Sequence, residues 1–320
     1  MNREEVLVTG ADGFVGRAVV DRLLCDGAGV HAAVRKRRPG LLQGARVFEG
    51  LDLIRGDGWA AALNGVSSIV HCAARVHVTR DRAADSLTEF RSVNVEGTLA
   101  LARRAAASGV RRFVFVSSIG VNGGETLGQA FEAGDAPAPH SPYAVSKWEA
   151  ELALREMSSR CGIEIVVVRP PLVYGPDAPG NFGALFKAVA RGVPMPLGAV
   201  HNLRSLVALD NLVDLLVLCT RHPAAAGQTF LASDGADVST TLLLRRMASA
   251  LGCHPRLLPV PVSVLRGAGR MLGLGAAVQS LCRSLQVDIS KTEQLLGWRP
   301  AVSMDTALVQ CALAYRGGTV

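Results

Sequence analysis

Short apolar runs that alternate with longer stretches of helical spacing constrain the fold of this 320-residue chain more than any other feature. The runs lie at residues 6–9, 30–34, 46–48, 68–72, 113–117 and 163–169. Continuous apolar runs of this length are typical of strands buried on both faces of a parallel sheet. Helical spacing follows at 14–26, 57–64, 86–108 and 142–160. The alternation predicts an α/β fold with a doubly wound parallel sheet.

The composition changes after Arg169, where six prolines between 170 and 196 mark long loops. Weaker strand patterns and three or four amphipathic helices follow. We therefore predict a first domain at 1–171 and a smaller lobe of mixed structure at 172–320. The helix pattern at 209–220 is also compatible with a return to the first domain. The segment 257–283 mixes Leu, Gly, Arg and Met, as do helices that lie on membrane surfaces, but packing within the lobe is the simpler interpretation.

A glycine-rich turn directly follows the first predicted strand and opens a helix. It reads Gly10-Ala11-Asp12-Gly13-Phe14-Val15-Gly16. The first glycine permits a tight turn, the second lets a pyrophosphate approach the backbone, and the third lets helix and strand pack closely. The helix amino end then offers free N–H groups to the phosphates. The turn predicts a dinucleotide-binding site that includes Phe14 and Val15.

The end of the second strand indicates which dinucleotide binds. An acidic residue there would bind the adenosine ribose and select NAD, but no Asp or Glu occurs between Asp26 and Glu49. The strand is instead followed by a basic run, Arg35-Lys36-Arg37-Arg38. These cations suit a ribose 2′-phosphate, so NADP is favoured over NAD, with Arg35 as a contact. Asp52 and Leu53, after the third strand, are placed to meet the adenine.

Tyr143 and Lys147 give the strongest chemical signal, because the chain has only three tyrosines and four lysines. Residues four apart on a helix share one face. A phenol is a poor base at neutral pH, and a nearby ammonium favours its ionised form. Ser117 and Ser118 end the fifth predicted strand, where Ser118 could hold and polarise a substrate oxygen.

Together these residues resemble the extended short-chain dehydrogenase/reductases, in the NAD-dependent epimerase/dehydratase family. The resemblance covers nearly the whole chain. Besides the glycine turn and the Tyr-Lys pair, its motifs are Asp52-Leu53, His71-Cys72-Ala73-Ala74, Val93-Asn94-Val95-Glu96-Gly97-Thr98, Ser117-Ser118, Arg169-Pro170-Pro171 and Arg204-Ser205-Leu206-Val207. It implies a Rossmann fold with a C-terminal substrate lobe.

The resemblance also implies roles for individual residues. Tyr143 would be the acid/base, Lys147 would lower its pKa and hold the nicotinamide ribose, and Ser118 would bind the reacting oxygen. The expected cofactor contacts further include Cys72, Ala73, Ala74, Asn94, Ser117 and Pro170. The expected substrate contacts are Arg204 for the diphosphate and, on looser matches, Arg283 and Asn181. A homodimer through the helices at 86–108 and 142–160 is expected by the same analogy.

The same resemblance implies chemistry at carbon 4 of a hexose carried on a nucleoside diphosphate, by a 4-ketoreductase or a 4-epimerase of surface-polysaccharide sugar biosynthesis. Ile119-Gly120 stand where 4,6-dehydratases carry an Asp-Glu pair, which argues against dehydration. Asn122-Gly123 replace the Tyr-Gly of many epimerases. Two alternatives stay open: an NADPH-dependent reductase of a flavonoid- or steroid-like ketone, and a non-catalytic NADP-sensing protein.

The composition argues against several other classes of protein. The net charge is +7, yet no basic stripe with interleaved aromatics indicates nucleic-acid binding. Seven cysteines without a CxxC pair and seven histidines without HExxH predict neither disulfides nor a metal site. No uncharged apolar stretch reaches the roughly 18 residues of a membrane span. The charged start of the chain argues against a secretory signal. We therefore expect a cytoplasmic protein.

Overall fold

Seven parallel strands form the central sheet of the computed structural model, which describes residues 4–36, 42–55, 58–76 and 86–317. Their order is β3-β2-β1-β4-β5-β6-β9, and a separate two-stranded ladder joins β7 and β8. The strands are β1 (Glu5–Thr9), β2 (Gly29–Ala33), β3 (Arg46–Phe48), β4 (Ser68–His71), β5 (Arg112–Val116), β6 (Glu164–Arg169), β7 (Leu172–Tyr174), β8 (Leu206–Ala208) and β9 (Thr229–Leu231).

The first six strands confirm the predicted runs, and each end lies within one residue of its predicted position. Their apolar side chains are buried because helices cover both faces of the sheet. In β1, for example, Val6, Leu7 and Val8 are fully buried. The predicted doubly wound α/β fold is therefore confirmed.

Helices lie on both sides of this sheet and throughout the remaining chain. They are α1 (Phe14–Cys25), α2 (Trp59–Leu63), α3 (Ser86–Arg91), α4 (Thr98–Ala107), α5 (Pro142–Cys161), α6 (Gly180–Ala190), α7 (Leu209–Arg221), α8 (Thr240–Leu251), α9 (Val262–Met271), α10 (Gly275–Cys282), α11 (Ser290–Leu296) and α12 (Met304–Gly317). A π-helical turn, Ser92–Gly97, joins α3 to α4. The core on one face of the sheet includes α1 and α7, and the core on the other includes α2, α4 and α5.

Strand β1 lies between β2 and β4, so the direction of chain crossing reverses at this strand. In doubly wound sheets the crevice at such a switch point, outside the carboxyl ends of the strands, is where ligands bind. The glycine turn leaves β1 at this end. The topology therefore places the candidate cofactor motif at the expected edge.

Two elements from the second half of the chain complete the sheet layer. Helix α7 packs against α1, β4 and β5, as in the alternative in which 209–220 returns to the first domain. Strand β9 pairs with β6 at Val167–Arg169. The expectation of three or four helices after the proline-rich loops is wrong, because the described part of the chain has six after residue 196, α7 to α12. Two of them, α10 and α11, have only eight and seven residues, too few to show a clear amphipathic period.

A second core fills the C-terminal lobe, where α8 packs against α6 and α12. Phe14, the first residue of α1, packs against both this core and the sheet core. The two parts of the molecule therefore meet directly at the glycine turn. Among the described residues, no helix is long and apolar enough to cross a membrane.

Candidate active site

The glycine turn between β1 and α1 has the backbone shape that a phosphate cradle needs. Gly10 has φ +61°, and a Cβ there would lie 2.9 Å from the backbone nitrogen of Ala73. A Cβ on Gly16 would overlap the carbonyl oxygen of Gly10. Gly13 caps α1 without a side-chain hydrogen bond, and the first helical turn, which holds Phe14 and Val15, contains no acid. The amino end of α1 can therefore offer N–H groups to an anion.

The ends of β2 and β3 bring together the residues predicted to meet the adenosine. Arg35 and Lys36 are exposed, while Arg37 and Arg38 lie outside the described residues. The Asp52 carboxylate accepts hydrogen bonds from the backbone N–H groups of Arg55 (3.1 Å) and Ile54 (2.7 Å). These bonds lower the pKa of Asp52, and the charge of Arg35 adds to the effect. Asp52 is thus an ionised acceptor close to the Arg35 cation.

Leu53 and the segment after β4 form the wall next to this position. Leu53 lies so close to Gly97 that a Cβ on that glycine would be 2.8 Å from the Leu53 Cβ. Cys72, Ala73 and Ala74 are partly exposed, and the Ala73 N–H donates to the hydroxyl of Thr9 (3.2 Å). Burial raises the pKa of the Cys72 thiol to about 12, so the thiol stays neutral.

Asn94, in the π-helical turn, holds this wall against α5. Its side-chain oxygen accepts from the Arg75 N–H (2.8 Å), and its amide donates to the Arg75 carbonyl (3.1 Å) and the Ser146 hydroxyl (3.0 Å). The residue is 1% exposed. Asn94 was predicted to line the cofactor; in the structure its amide group fixes the backbone beside the cradle.

Tyr143 and Lys147 project from the same face of α5. The Lys147 Nζ lies 6.0 Å from the centre of the Tyr143 ring and 4.4 Å from that of Phe115, and it donates to the carbonyl oxygen of Val116 (2.8 Å). Burial lowers the pKa of Lys147 to about 8, and burial raises that of Tyr143 to about 12. At neutral pH the pair is an ammonium beside a protonated phenol.

Ser118 lies next to the start of α5. Its hydroxyl accepts from the Gly120 N–H (3.1 Å). A Cβ built on Gly120 would be 3.3 Å from both Ser118 Oγ and the Cβ of Ala144, so only a glycine separates Ser118 from the residue after Tyr143. The Ile119 N–H donates to the carbonyl oxygen of Pro170 (2.9 Å), which fixes the loop after β5 against the loop after β6.

The predicted substrate residues have different environments in the lobe. Arg204 donates to the carbonyl oxygen of Ser280, its pKa is lowered by burial, and it has no carboxylate partner among the described residues. Arg283 instead pairs with Glu125 (3.2 Å). Asn181 is exposed in the first turn of α6. Arg204 is thus a partly buried cation whose guanidinium is bonded to a carbonyl oxygen.

The sequence profile of the NAD dependent epimerase/dehydratase family matches residues 6–232, more than half of the chain. The chain belongs to this family. Over 318 residues it is 42% identical to a UDP-glucose 4-epimerase of Vibrio cholerae, covering 98% of this chain and 95% of the relative. This similarity supports assignment of the chain as an enzyme of the epimerase family.

Solved structures of family members share the fold of the whole chain. A Thermotoga maritima UDP-glucose 4-epimerase with UDP-glucose has a TM-score of 0.82 at 22% identity, covering 99% of this chain and 100% of that one. A Thermus thermophilus UDP-glucose 4-epimerase in complex with NAD has a TM-score of 0.78 at 24% identity, covering 98% and 99%. At these identities the likeness establishes the fold, including the lobe.

Sequence reasoning missed one buried group in this epimerase-family site, Glu151 on α5. Its carboxylate is fully buried and accepts from the Ser117 hydroxyl (2.6 Å) and from Arg169 (2.6 and 2.9 Å). Glu151 also helps to keep the Lys147 pKa from falling further. The available signal was its spacing, one turn after Lys147. The Ser117 hydroxyl, predicted to meet the cofactor, is occupied by this carboxylate.

His71 shows why buried polar residues need such partners. The imidazole is fully buried, with Nδ1 2.7 Å from the hydroxyl of Thr9 and Nε2 2.9 Å from that of Thr98. Burial lowers its pKa to about 3, so it is neutral and structural. Within the described ranges, no group of three or more His, Cys, Asp or Glu could hold a metal ion.

Proposed function

We propose that this protein transfers a proton and a hydride at carbon 4 of a hexose attached to a nucleoside diphosphate, with 4-epimerisation as the net reaction. The observation that carries the proposal is the Lys147 ammonium 6.0 Å from the Tyr143 ring, at the sheet edge that holds the glycine turn. The 42% identity to a protein named UDP-glucose 4-epimerase supports this substrate class.

The glycine turn fits a dinucleotide. A side chain at Gly10 or Gly16 would collide with backbone atoms, so only glycines permit the tight turn that a pyrophosphate approaches. A nicotinamide cofactor, when bound, accepts a hydride from carbon 4 and later returns it. The solved relative from Thermus thermophilus binds NAD, which supports a nicotinamide cofactor here.

The proton is carried by the protein's own residues. Tyr143, protonated at neutral pH because burial raises its pKa to about 12, donates a proton to a carbon-4 carbonyl as the hydride arrives. In the opposite direction the phenolate accepts the proton of the carbon-4 hydroxyl. The Lys147 ammonium stabilises that phenolate electrostatically. The Ser118 hydroxyl orients the reacting oxygen.

Arg204 is the residue that supports a nucleotide sugar as the substrate. A guanidinium recognises phosphate oxygens through charge-assisted hydrogen bonds. The Arg204 guanidinium is partly buried and, among the described residues, is bonded only to the Ser280 carbonyl. A flavonoid- or steroid-like ketone offers carbonyl and hydroxyl oxygens as acceptors but no anionic group to neutralise this cation. The diphosphate therefore accounts for a residue that the alternative substrates leave unexplained.

A 4-ketoreductase is the second candidate, and the basic end of β2 favours it. Arg35 and Lys36 are exposed, and Arg35 lies close to Asp52, where these cations could bind a ribose 2′-phosphate and so select NADPH. Dehydration at carbon 6 is not proposed, since Ile119 and Gly120 offer no group that transfers a proton. A homodimer through the helices at 86–108 and 142–160 and a cytoplasmic location stay predictions.

One experiment separates the two candidates. The protein is incubated with UDP-glucose or UDP-N-acetylglucosamine and NAD, without any reductant, and the sugars are resolved by chromatography. Interconversion of 4-epimers supports the epimerase. Oxidation of NADPH with a UDP-4-keto-6-deoxy sugar, and no interconversion, selects the reductase. If neither reaction occurs in any of these mixtures, the proposal is refuted.

Substitution of Tyr143 tests its role within either reaction. Tyr143→Phe should abolish turnover and leave cofactor binding, measured by fluorescence titration with NAD and NADP, unchanged. Tyr315→Phe on α12 is the matched control and should keep full activity. Retained turnover in Tyr143→Phe would remove the phenol from the mechanism. A clear NAD preference in the same titration would overturn the role given to Arg35.

A further inference from the structure

Nearly all of the excess positive charge lies in one stretch of the lobe. From Val238 to Val287 the sequence has no Asp or Glu, but it has six arginines, so this stretch carries +6 of the chain's net +7. The arginines are Arg245, Arg246, Arg256, Arg266, Arg270 and Arg283. Arg246 and Arg283 pair with Asp305 and Glu125 from outside the stretch, and the other four arginines indicate attraction to an anionic partner.

Helices α9 and α10 lie within this stretch and pack mainly against each other. In α9 only Leu265 and Gly269 are buried, and in α10 only Cys282. Packing within the lobe, the simpler interpretation of 257–283, is found for seven apolar side chains that contact the core of the lobe: Leu257, Val260, Val262, Leu265, Val278, Leu281 and Cys282. The pair presents most of its surface outward.

Four large apolar side chains stand on that outward surface and are here called the apolar ridge. Their exposed fractions are 55% for Val264, 89% for Met271, 72% for Leu272 and 55% for Leu274. Val264 and Met271 are seven residues apart on α9 and so share one face. Single exposed apolar residues are ordinary, but a contiguous group marks an interaction site.

Two exposed arginines of α9 lie on a different side of the helix from Val264 and Met271. Arg266 and Arg270 are one turn apart, both are exposed, and neither has an ion pair within the described part of the chain. Helical geometry places Arg270 roughly 100° around the axis from Met271, and Arg266 roughly 160° from Val264. Long arginine side chains can extend from such positions to the level of lipid headgroups. Apolar and basic side chains divided in this way are typical of helices that lie in the interface of a membrane.

We propose that the apolar ridge, with Arg266 and Arg270, docks this protein onto an anionic lipid bilayer. The apolar side chains enter the boundary between headgroups and acyl chains, and the guanidinium groups bind lipid phosphates. A second copy of the chain suits the surface less well. A two-fold contact would bring the same acid-free stretches together without a carboxylate to pair with their arginines.

Docking at this surface would place the membrane next to the candidate site. The Ser280 carbonyl, on α10, accepts the hydrogen bond from Arg204. One hydrogen bond thus connects the docking helices to the residue proposed to hold the substrate diphosphate. The docking proposal itself does not depend on the reaction, and its test uses no substrate.

The test is sedimentation of the full chain with vesicles. One set contains phosphatidylcholine only, and the other contains about 30% phosphatidylglycerol. We expect roughly tenfold or tighter binding to the anionic set. Arg266→Glu/Arg270→Glu should weaken it more than about 25-fold, because each cation near an anionic surface contributes about fivefold. Met271→Ser/Leu272→Ser should weaken binding roughly tenfold or more, because it removes apolar area from the bilayer boundary.

The matched control is Arg191→Glu/Arg221→Glu, which makes the same charge change at exposed positions after α6 and at the end of α7. It should keep most of the binding. Melting temperature and NAD binding verify that every variant is folded. The proposal is overturned if the chain ignores anionic vesicles, or if the control loses as much binding as the α9 variant. It is also overturned if the ridge variant changes only the oligomeric state.

Discussion

Replacement of Lys147 by Met should abolish activity. Its effect on the free energy of unfolding should change sign as the pH rises. Lys147 is 2% exposed, and burial lowers its pKa from 10.5 to about 8. Each pH unit between these values corresponds to about 1.4 kcal/mol. Keeping the ammonium charged in the folded protein therefore costs about 3 kcal/mol at pH 7.

Two favourable contacts are lost in the same variant. The Lys147 Nζ donates to the Val116 carbonyl at 2.8 Å and lies over the Phe115 ring. Leaving the carbonyl without its donor costs about 1–3 kcal/mol. At pH 7 the variant should thus have a free energy of unfolding equal to that of the wild type, or up to about 2 kcal/mol higher.

The pH dependence isolates the charge because methionine does not titrate. Between the folded pKa of about 8 and the unfolded value of 10.5, the unfolded wild type binds more protons than the folded one. Its stability therefore rises with pH in this window, whereas below pH 8 both states are protonated and this contribution is constant. By pH 10.5 the wild type should have gained about 3 kcal/mol relative to the variant.

The assay is urea unfolding of the cofactor-free protein, followed by circular dichroism at several pH values from about 7 to 10.5. Lys187→Met on α6 is the control. Because Lys187 is exposed, the difference in free energy of unfolding between this variant and the wild type should stay constant over this range. A Lys147→Met difference that is also constant, or that changes in the opposite direction, would refute the reasoning from burial.

Three further substitutions test other parts of the site. Gly16→Ala should weaken NAD binding roughly a hundredfold or more in a fluorescence titration, because the new methyl group overlaps the turn. The control Gly134→Ala, at a position with open space around it, should bind NAD normally. Glu151→Ala should lower the free energy of unfolding by about 3–5 kcal/mol, since it leaves a buried guanidinium uncompensated; Glu156→Ala, in an exposed pair, should cost less than about 1 kcal/mol. Arg204→Met should raise the KM for UDP-glucose roughly tenfold to a hundredfold without changing the Kd of NAD, and an unchanged KM would contradict its proposed role.

The strands were predictable because their signal is local. The segment from Ile165 to Val168 in β6 is apolar without interruption, and such runs have few other structural solutions in a chain with this alternation. Strand β9 was not placed in the sheet because it has three residues, and its pairing with β6 joins residues about 60 positions apart. Nothing in its own sequence specifies that partner.

The candidate site likewise contains residues that a local sequence pattern predicts and residues that it does not. Tyr143 and Lys147 follow from helical spacing, and the structure places them on one face. Glu151 was missed in spite of its spacing, because a buried carboxylate is rare and its partner Arg169 comes from a strand 18 residues later. The role of Asn94 depends on the backbone of Arg75, which sequence patterns do not reveal.

The late arrival of β9 and α7 has a consequence for synthesis of the chain. On the ribosome, the nascent sheet has an open edge at β6 until Leu231 has emerged, and such edges promote aggregation. The groove above α1 also waits for α7, which buries nine of its thirteen residues. A fragment ending at residue 171 would stay in this exposed state permanently, so chimaeras with related enzymes should be joined after Leu231.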